Sequence, residues 1–417
     1  MTEMQQTQPQ QTEAQQSEVD KVVIVGASLG GASAAVSLRE QGFTGEIELI
    51  GVEAHLPYER PPLSKAVLLG DADEPDWVQP ADYYASHDIT LRSTTFVTTI
   101  RPVDHVVVTG NSEHSYDKLV LATGSGPRTL KIPGADLRQI VTLRTLDDAL
   151  MLRDSLRSCG SVVIVGAGWI GCEVAAAARK YGTAVTMIDP ASQPLVRVLG
   201  EEIGAVFADL HRENGVDLRL GTGVEAFEEG PGHHVSGVRL SDGSVVDATL
   251  VVIGVGVDPR VRLAEEAGLE LAEGGVAVDA TLRTSDPDIY AVGDIAAHDH
   301  PRLPGRVRVE HWANAKDQGT HVAQNLLGGN EPYAKSPFFF SDQYDLGCEY
   351  RGLADPENDT LVVRGDLAGR EFTAFWQRDS VVTAALNVNQ WDDGDELQRL
   401  VDSQQPVSAE DLRNSTF

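Results

Sequence analysis

Residues able to do chemistry gather in two places. The first is Leu56-Pro57-Tyr58-Glu59-Arg60-Pro61-Pro62-Leu63-Ser64-Lys65, where three prolines stiffen the loop carrying Arg60 and Lys65. An arginine so held is a counter-ion for a diphosphate. On spacing alone, solvated charges on a rigid surface loop describe it better. The second is Gly166-Ala167-Gly168-Trp169-Ile170-Gly171-Cys172-Glu173, a G-x-G-x-x-G run followed by an acid. Its first glycine allows a tight turn, its second lets backbone approach a pyrophosphate, and its third lets helix pack on strand. No nucleophile–base constellation accompanies either stretch. Cys159, Cys172 and Cys348 form no C-x-x-C and no ligand cluster, which argues against a structural metal or a redox disulfide.

The elements that must position these residues follow from periodicity. Val162–Val165 reads as a buried strand, followed by a helix to Tyr181. The next strand, Ala184–Ile188, ends at Asp189, 23 residues after Gly166 and near the spacing of the acid that holds an adenosine ribose. An acid there repels a 2′-phosphate and favours NADH over NADPH. No arginine replaces it, although Arg197 lies further on. A cruder copy comes earlier: the strand Val22–Val25, then Gly26-Ala27-Ser28-Leu29-Gly30-Gly31 and a helix to about Gln41. Ser28 takes the place of the second glycine, so close phosphate approach is strained there rather than excluded. The following strand, Ile47–Ile50, leads through Val52 to Glu53, 27 residues after Gly26. Glu53 is then either the ribose acid or a solvated turn residue. Two such units imply two bound dinucleotides.

Further along, short strands at 89–91, 106–108 and 119–121 lead into Ala122-Thr123-Gly124. A helix is predicted over 143–156 and a strand-turn-strand over 238–245. Leu250–Ile253 meets Gly254-Val255-Gly256, and Tyr290-Ala291-Val292 ends in Gly293-Asp294. Glu310-His311-Trp312-Ala313-Asn314 opens a helix running to about Leu327. Short aromatic and β-branched runs fill 338–388, and 392–415 reads as helical, together a separate α+β domain.

The formal net charge of −30 over 417 residues argues against nucleic acid or an anionic membrane as partner. Its plain meaning is solubility and tolerance of salt. No apolar run reaches membrane-spanning length, and the Gln-rich start shows no charged-then-apolar leader pattern. The expectations are a cytoplasmic protein and a disordered tail over 1–19.

The order of these pieces resembles the two-dinucleotide flavoprotein reductases. The Pro57–Lys65 loop together with Glu310-His311-Trp312-Ala313-Asn314-Ala315 narrows the resemblance. It is to the NADH-dependent ferredoxin reductases of oxygenase and cytochrome P450 systems, with apoptosis-inducing factor as a cousin. The resemblance implies an α/β fold: two Rossmann-like domains of glutathione-reductase type and a C-terminal α+β domain. The implied FAD domain is discontinuous, 20–142 and 266–332. The NAD domain is 143–265, and an interface domain spans 333–417.

It further implies that FAD is held by Gly26, Ser28, Leu29, Gly30, Gly31, Val52, Glu53, Arg60, Lys65, Val97, Ala122, Thr123, Gly124, Arg128, Gly293, Asp294, His311, Trp312 and Phe340. NADH would be held by Gly166, Gly168, Trp169, Ile170, Gly171, Glu173, Asp189, Gly254, Val255, Gly256 and Glu310. Lys65 and Glu173 would pair beside the stacked nicotinamide, as a catalytic pair, as a lock between domains, or as both. The helix opening at His311 would present its positive end to the reduced flavin.

The implied partner is an iron–sulfur ferredoxin, docked on a basic patch of Arg302, Arg306 and Arg308, with the protein a monomer or weak homodimer. Three residues depart from the family pattern: Ser28 for Gly, Phe340 for Trp, and Arg260 where Asn is typical. The rival readings are an NADH-dependent redox sensor and a rubredoxin or quinone reductase. A disulfide reductase needs a cysteine pair in the first helix, and 30–41 has none.

Overall fold

The computed structural model describes residues 19–414, so nearly all of the expected tail lies outside the described residues. The two glycine-loop units fold into two five-stranded parallel sheets. In the first, Lys21–Val25 is central. Glu46–Ile50 and Ile89–Arg92 lie to one side, and Lys118–Leu121 and Ile289–Ala291 to the other. In the second, Ser161–Val165 is central, flanked by Ala184–Asp189 and Val216–Leu220 and, opposite, by Val251–Ile253 and Ile140–Val141. Near-continuous apolar strands buried on both faces suit such sheets. Val22, Val23 and Ile24 are fully buried, as is Ile164.

Each unit carries a three-stranded antiparallel meander before its return strand. The first uses Val97–Arg101, Val106–Thr109 and Ser112–Ser115; the second uses Val224–Glu229, Val235–Leu240 and Val245–Asp247. The chain passes between units through a two-stranded ribbon, Ser125–Pro127 paired with Val257–Pro259.

The ribbon lies at 125–127 and 257–259, and the expected boundaries stand at 142/143 and 265/266. Leu137 and Ile140 already pack on the second core, and Ala264 belongs to the first. The helix Leu146–Ser158, closed at its start by a Thr145–Asp148 capping box, is the first strong periodic signal after the crossing.

The helix after the first glycine loop, Leu29–Glu40, packs closely on Trp312–Leu326. A Cβ on Gly319 would lie 2.2 Å from the Gly30 carbonyl oxygen, so only glycine permits that approach. The C-terminal region is a five-stranded antiparallel sheet from Phe338–Gln343 to Val381–Val388. Two helices, Gly394–Ser403 and Ala409–Asn414, follow where one helical stretch was expected; Gln404 in left-handed conformation separates them. Core residues of that sheet, among them Phe372 and Trp376, join the second unit's core.

Candidate functional site

The two glycine loops are built alike. Gly26 has φ +116°, and a Cβ there would sit 2.1 Å from the Ala122 carbonyl oxygen. Gly166 has φ +108° and would meet Gly254 O at 2.4 Å. Both positions therefore demand glycine. The middle position differs. Around Gly168 nothing lies within 4 Å of an added Cβ, so that surface is open. Ser28 fills the same position of the first loop with φ −98°, an ordinary extended conformation, and its Oγ accepts a hydrogen bond from Arg60 Nε at 3.2 Å. The backbone at Ser28 is therefore one that any residue adopts.

Around Ser28 the charges form one cluster. Arg60 Nη2 lies 2.6 Å from Glu53 Oε1, and Tyr58 donates its hydroxyl to Glu53. Burial works against the Glu53 anion, but Arg60 and the Tyr58 hydrogen bond hold the carboxyl below its ordinary range. Arg60 also donates to the Arg144 carbonyl, and Arg144 Nη2 pairs with Asp294 Oδ2 at 2.9 Å. Asp294 sits in the turn Gly293–Ile295, whose Gly293 N–H donates to Gln318. Sequence reading missed Tyr58 and Arg144 as members of this cluster. Arg144 meets Asp294 across 150 positions, which leaves no local signature.

His311 caps the helix Trp312–Leu326 at its start. Burial lowers the imidazole pKa to about 4, with Asp294 opposing, so the ring is neutral at pH 7. Its Nδ1 and the adjacent Trp312 Nε1 are both buried without a hydrogen-bond partner among the described residues. Two orphan polar atoms beside a positive helix end suit the polar edge of a flavin ring. Phe340 stands against Trp312, ring centroids 6.1 Å apart, and Lys65 Nζ lies 5.0 Å over the Phe340 ring.

Lys65 and Glu173 meet: Nζ to Oε1 is 2.8 Å, with Glu173 only 3 % exposed. Ser64 donates to the other carboxylate oxygen, and Ser341 Oγ donates to Oε1 at 2.6 Å. One carboxylate on the helix Trp169–Lys180 is thus gripped by the Pro-rich loop and by the C-terminal sheet. Ser64 and Ser341 were missed, although Ser64 adjoins Lys65. A cleft of about 730 Å³ opens beside Glu173, lined also by Ser64, Asp71, Arg179, Asp342 and Tyr344.

In the second unit, Asp189 accepts from Ala167 N and Ala191 N, both at 2.8 Å, which ties the strand end to the glycine loop. Trp169 packs on Phe339 with ring centroids 4.7 Å apart, while Ile170 is 42 % exposed. Gly254 and Val255 close the loop against Gly166.

The remaining expected site residues have the following surroundings. Val97 is buried in the first core. Arg128 pairs with Asp258 at 2.8 Å and lies beside Gly256, on the ribbon rather than with the Arg60 cluster. Glu310 pairs with Arg308, which also donates to Asp294 O. Arg306 donates to the Val278 and Ala297 carbonyls and Arg302 pairs with Asp402, so the expected basic patch is engaged by internal partners. Leu29 and Ala122 are buried and Val52 is half exposed, while Thr123 Oγ1 donates to the Arg260 carbonyl.

Residues 20–319 match the family described as pyridine nucleotide-disulphide oxidoreductase, and 338–417 match the reductase C-terminal family. Rhodocoxin reductase of Rhodococcus erythropolis is 39% identical over 398 residues, covering 95% of this chain and 92% of that protein. The crystal structure of a covalent putidaredoxin reductase–putidaredoxin complex superposes with TM-score 0.91 at 36% identity, covering 95% of this chain and 96% of that one. The ferredoxin reductase for the CYP199A2 system of Rhodopseudomonas palustris also gives TM-score 0.91, at 37% identity, covering 95% and 97%.

Proposed function

Because the chain belongs to the pyridine nucleotide-disulphide oxidoreductase family, we propose that it is a flavoprotein reductase that passes a hydride from NADH to FAD. Single electrons then go to an iron–sulfur ferredoxin serving a cytochrome P450 or other oxygenase. The observation that carries this reading is the Lys65–Glu173 pair, where both nucleotide units and the C-terminal sheet converge. Relatives named for rhodocoxin and putidaredoxin support a ferredoxin as electron acceptor. All three cysteines are free, Cys172 and Cys348 buried, which suits electron transfer without a redox disulfide and a reducing cytoplasm.

In this reading the first unit holds FAD and the second NADH. Gly26, Ser28, Gly30 and Gly31 place backbone amides at the FAD diphosphate, with Arg60 and Arg144 as counter-ions. FAD, when bound, supplies hydride acceptance and stepwise electron release. His311 and Trp312 offer their unpartnered polar atoms to its ring edge. Gly166, Gly168 and Gly171 cradle the NADH diphosphate, and Asp189 receives the ribose hydroxyls. Lys65, oriented by Glu173, would hold its charge beside the flavin ring, and Phe339 and Trp169 would pack near the nicotinamide.

The test is the absorbance spectrum of the purified protein, followed by NADH-driven reduction of an iron–sulfur ferredoxin. A flavin spectrum with fast turnover is expected. A colourless protein, or slow NADH oxidation that no ferredoxin accelerates, overturns the reading.

A further inference from the structure

Three arginines stand together at the first glycine loop, and two of them are matched by acids. Arg60 pairs with Glu53 at 2.6 Å and Arg144 with Asp294 at 2.9 Å. The third is Arg260, whose guanidinium has no carboxylate partner among the described residues. Its backbone is clamped to the first unit: Arg260 N donates to Gly124 O, and Thr123 Oγ1 donates to Arg260 O, both at 2.9 Å. Its Nε lies 3.4 Å from where a Cβ on Gly126 would be, and Arg144 Nη2 lies 3.5 Å from the corresponding point on Gly124. Two guanidiniums thus cover alternate glycines of one strand end, with Arg60 close enough to repel Arg260. Burial, then repulsion by Arg144 and Arg60, lowers the Arg260 pKa. The cluster carries one positive charge in excess, in a chain whose net charge is −30. An anion at this place relieves the repulsion.

We propose that Arg260 is a third binding residue for the diphosphate of FAD, acting with Arg60 and Arg144. This rests on the first unit holding FAD. The NADH diphosphate is the poorer match, because Arg260 is bonded to Thr123 and Gly124 rather than to Gly254–Gly256.

The test titrates apo-protein with FAD and follows quenching of flavin fluorescence at several salt concentrations, in wild type, Arg260→Asn and Arg260→Lys. For Arg260→Asn the FAD Kd is expected to rise about tenfold or more, with a shallower salt dependence. Arg260→Lys, which keeps the charge, should fall between. The thermal midpoint of each apo-protein reports folding separately. An FAD Kd and salt slope equal to wild type in Arg260→Asn overturns the proposal, as does a change confined to NADH affinity. Wild-type protein that binds no FAD at all refutes the reading of the first unit instead.

Discussion

Lys65 Nζ sits 2.8 Å from Glu173 Oε1, although one residue belongs to the Pro-rich loop of the first unit and the other to the glycine-loop helix of the second. The pair is a lock and, in the proposed function, a charge held beside the reacting ring. Lys65→Met leaves Glu173 buried with only the Ser64 and Ser341 hydroxyls. The expected loss of stability is about 3 kcal/mol or more. Flavin reduction by NADH should slow roughly tenfold or more, while NADH affinity changes less. Stopped-flow absorbance with a denaturant melt checks both; wild-type reduction in a destabilised variant leaves only the lock.

The glycines of the second loop separate fold from binding. Gly166→Ala forces a Cβ to within 2.4 Å of Gly254 O at φ +108°, and should cost about 3 kcal/mol or more. Gly168→Ala meets nothing within 4 Å, so stability should move by no more than about 0.5 kcal/mol. Its KM for NADH should still rise about tenfold if the diphosphate lies against that backbone. Thermal melts beside steady-state kinetics distinguish these outcomes.

Asp189→Asn should reduce discrimination between NADH and NADPH by about tenfold, through loss of the negative charge that repels a 2′-phosphate. The ratio of the two kcat/KM values measures it. Asparagine can accept only one of the two amide hydrogen bonds from Ala167 and Ala191, so some loosening of the loop should accompany the change.

His211 is fully buried between Gln343 and Tyr344, and burial lowers its pKa from 6.5 to about 4, the Gln343 hydrogen bond opposing. The unfolded chain therefore binds the extra proton between those values. Stability is complete above about pH 6.5 and falls as pH drops toward 4, by about 3 kcal/mol for this group. His298 and His311 act in the same direction. His211→Gln should flatten the dependence of unfolding free energy on pH by roughly one proton in that window, read from urea melts. An unaltered slope would show that His211 does not titrate on unfolding.

Local pattern made the strands and the glycine loops legible, because buried parallel strands are apolar runs and the loops demand glycine at fixed spacing. Asp189 was legible for the same reason. The Lys65–Glu173 pairing was not readable from spacing and came only with the family resemblance. Arg144 and Ser341 carried no signal, since each reaches its partner through the tertiary fold, whereas Tyr58 lies only five residues from Glu53. The ribbon was not legible, because its strands are three residues long, each ending in proline, and show no periodicity. Arg306 and Arg308 looked free in sequence, but strand carbonyls engage Arg306 and turn carbonyls engage Arg308.

That ribbon has a mechanical consequence. Pro127 and Val257 are register partners, so the chain leaves the first unit and returns to it side by side. The second nucleotide unit is thereby an insertion whose two ends enter and leave at one place, and it is held there as well by the core it shares with the C-terminal sheet and with Leu68 of the first unit. Its seating is fixed by that shared core and by the Lys65–Glu173 contact rather than by the ribbon alone.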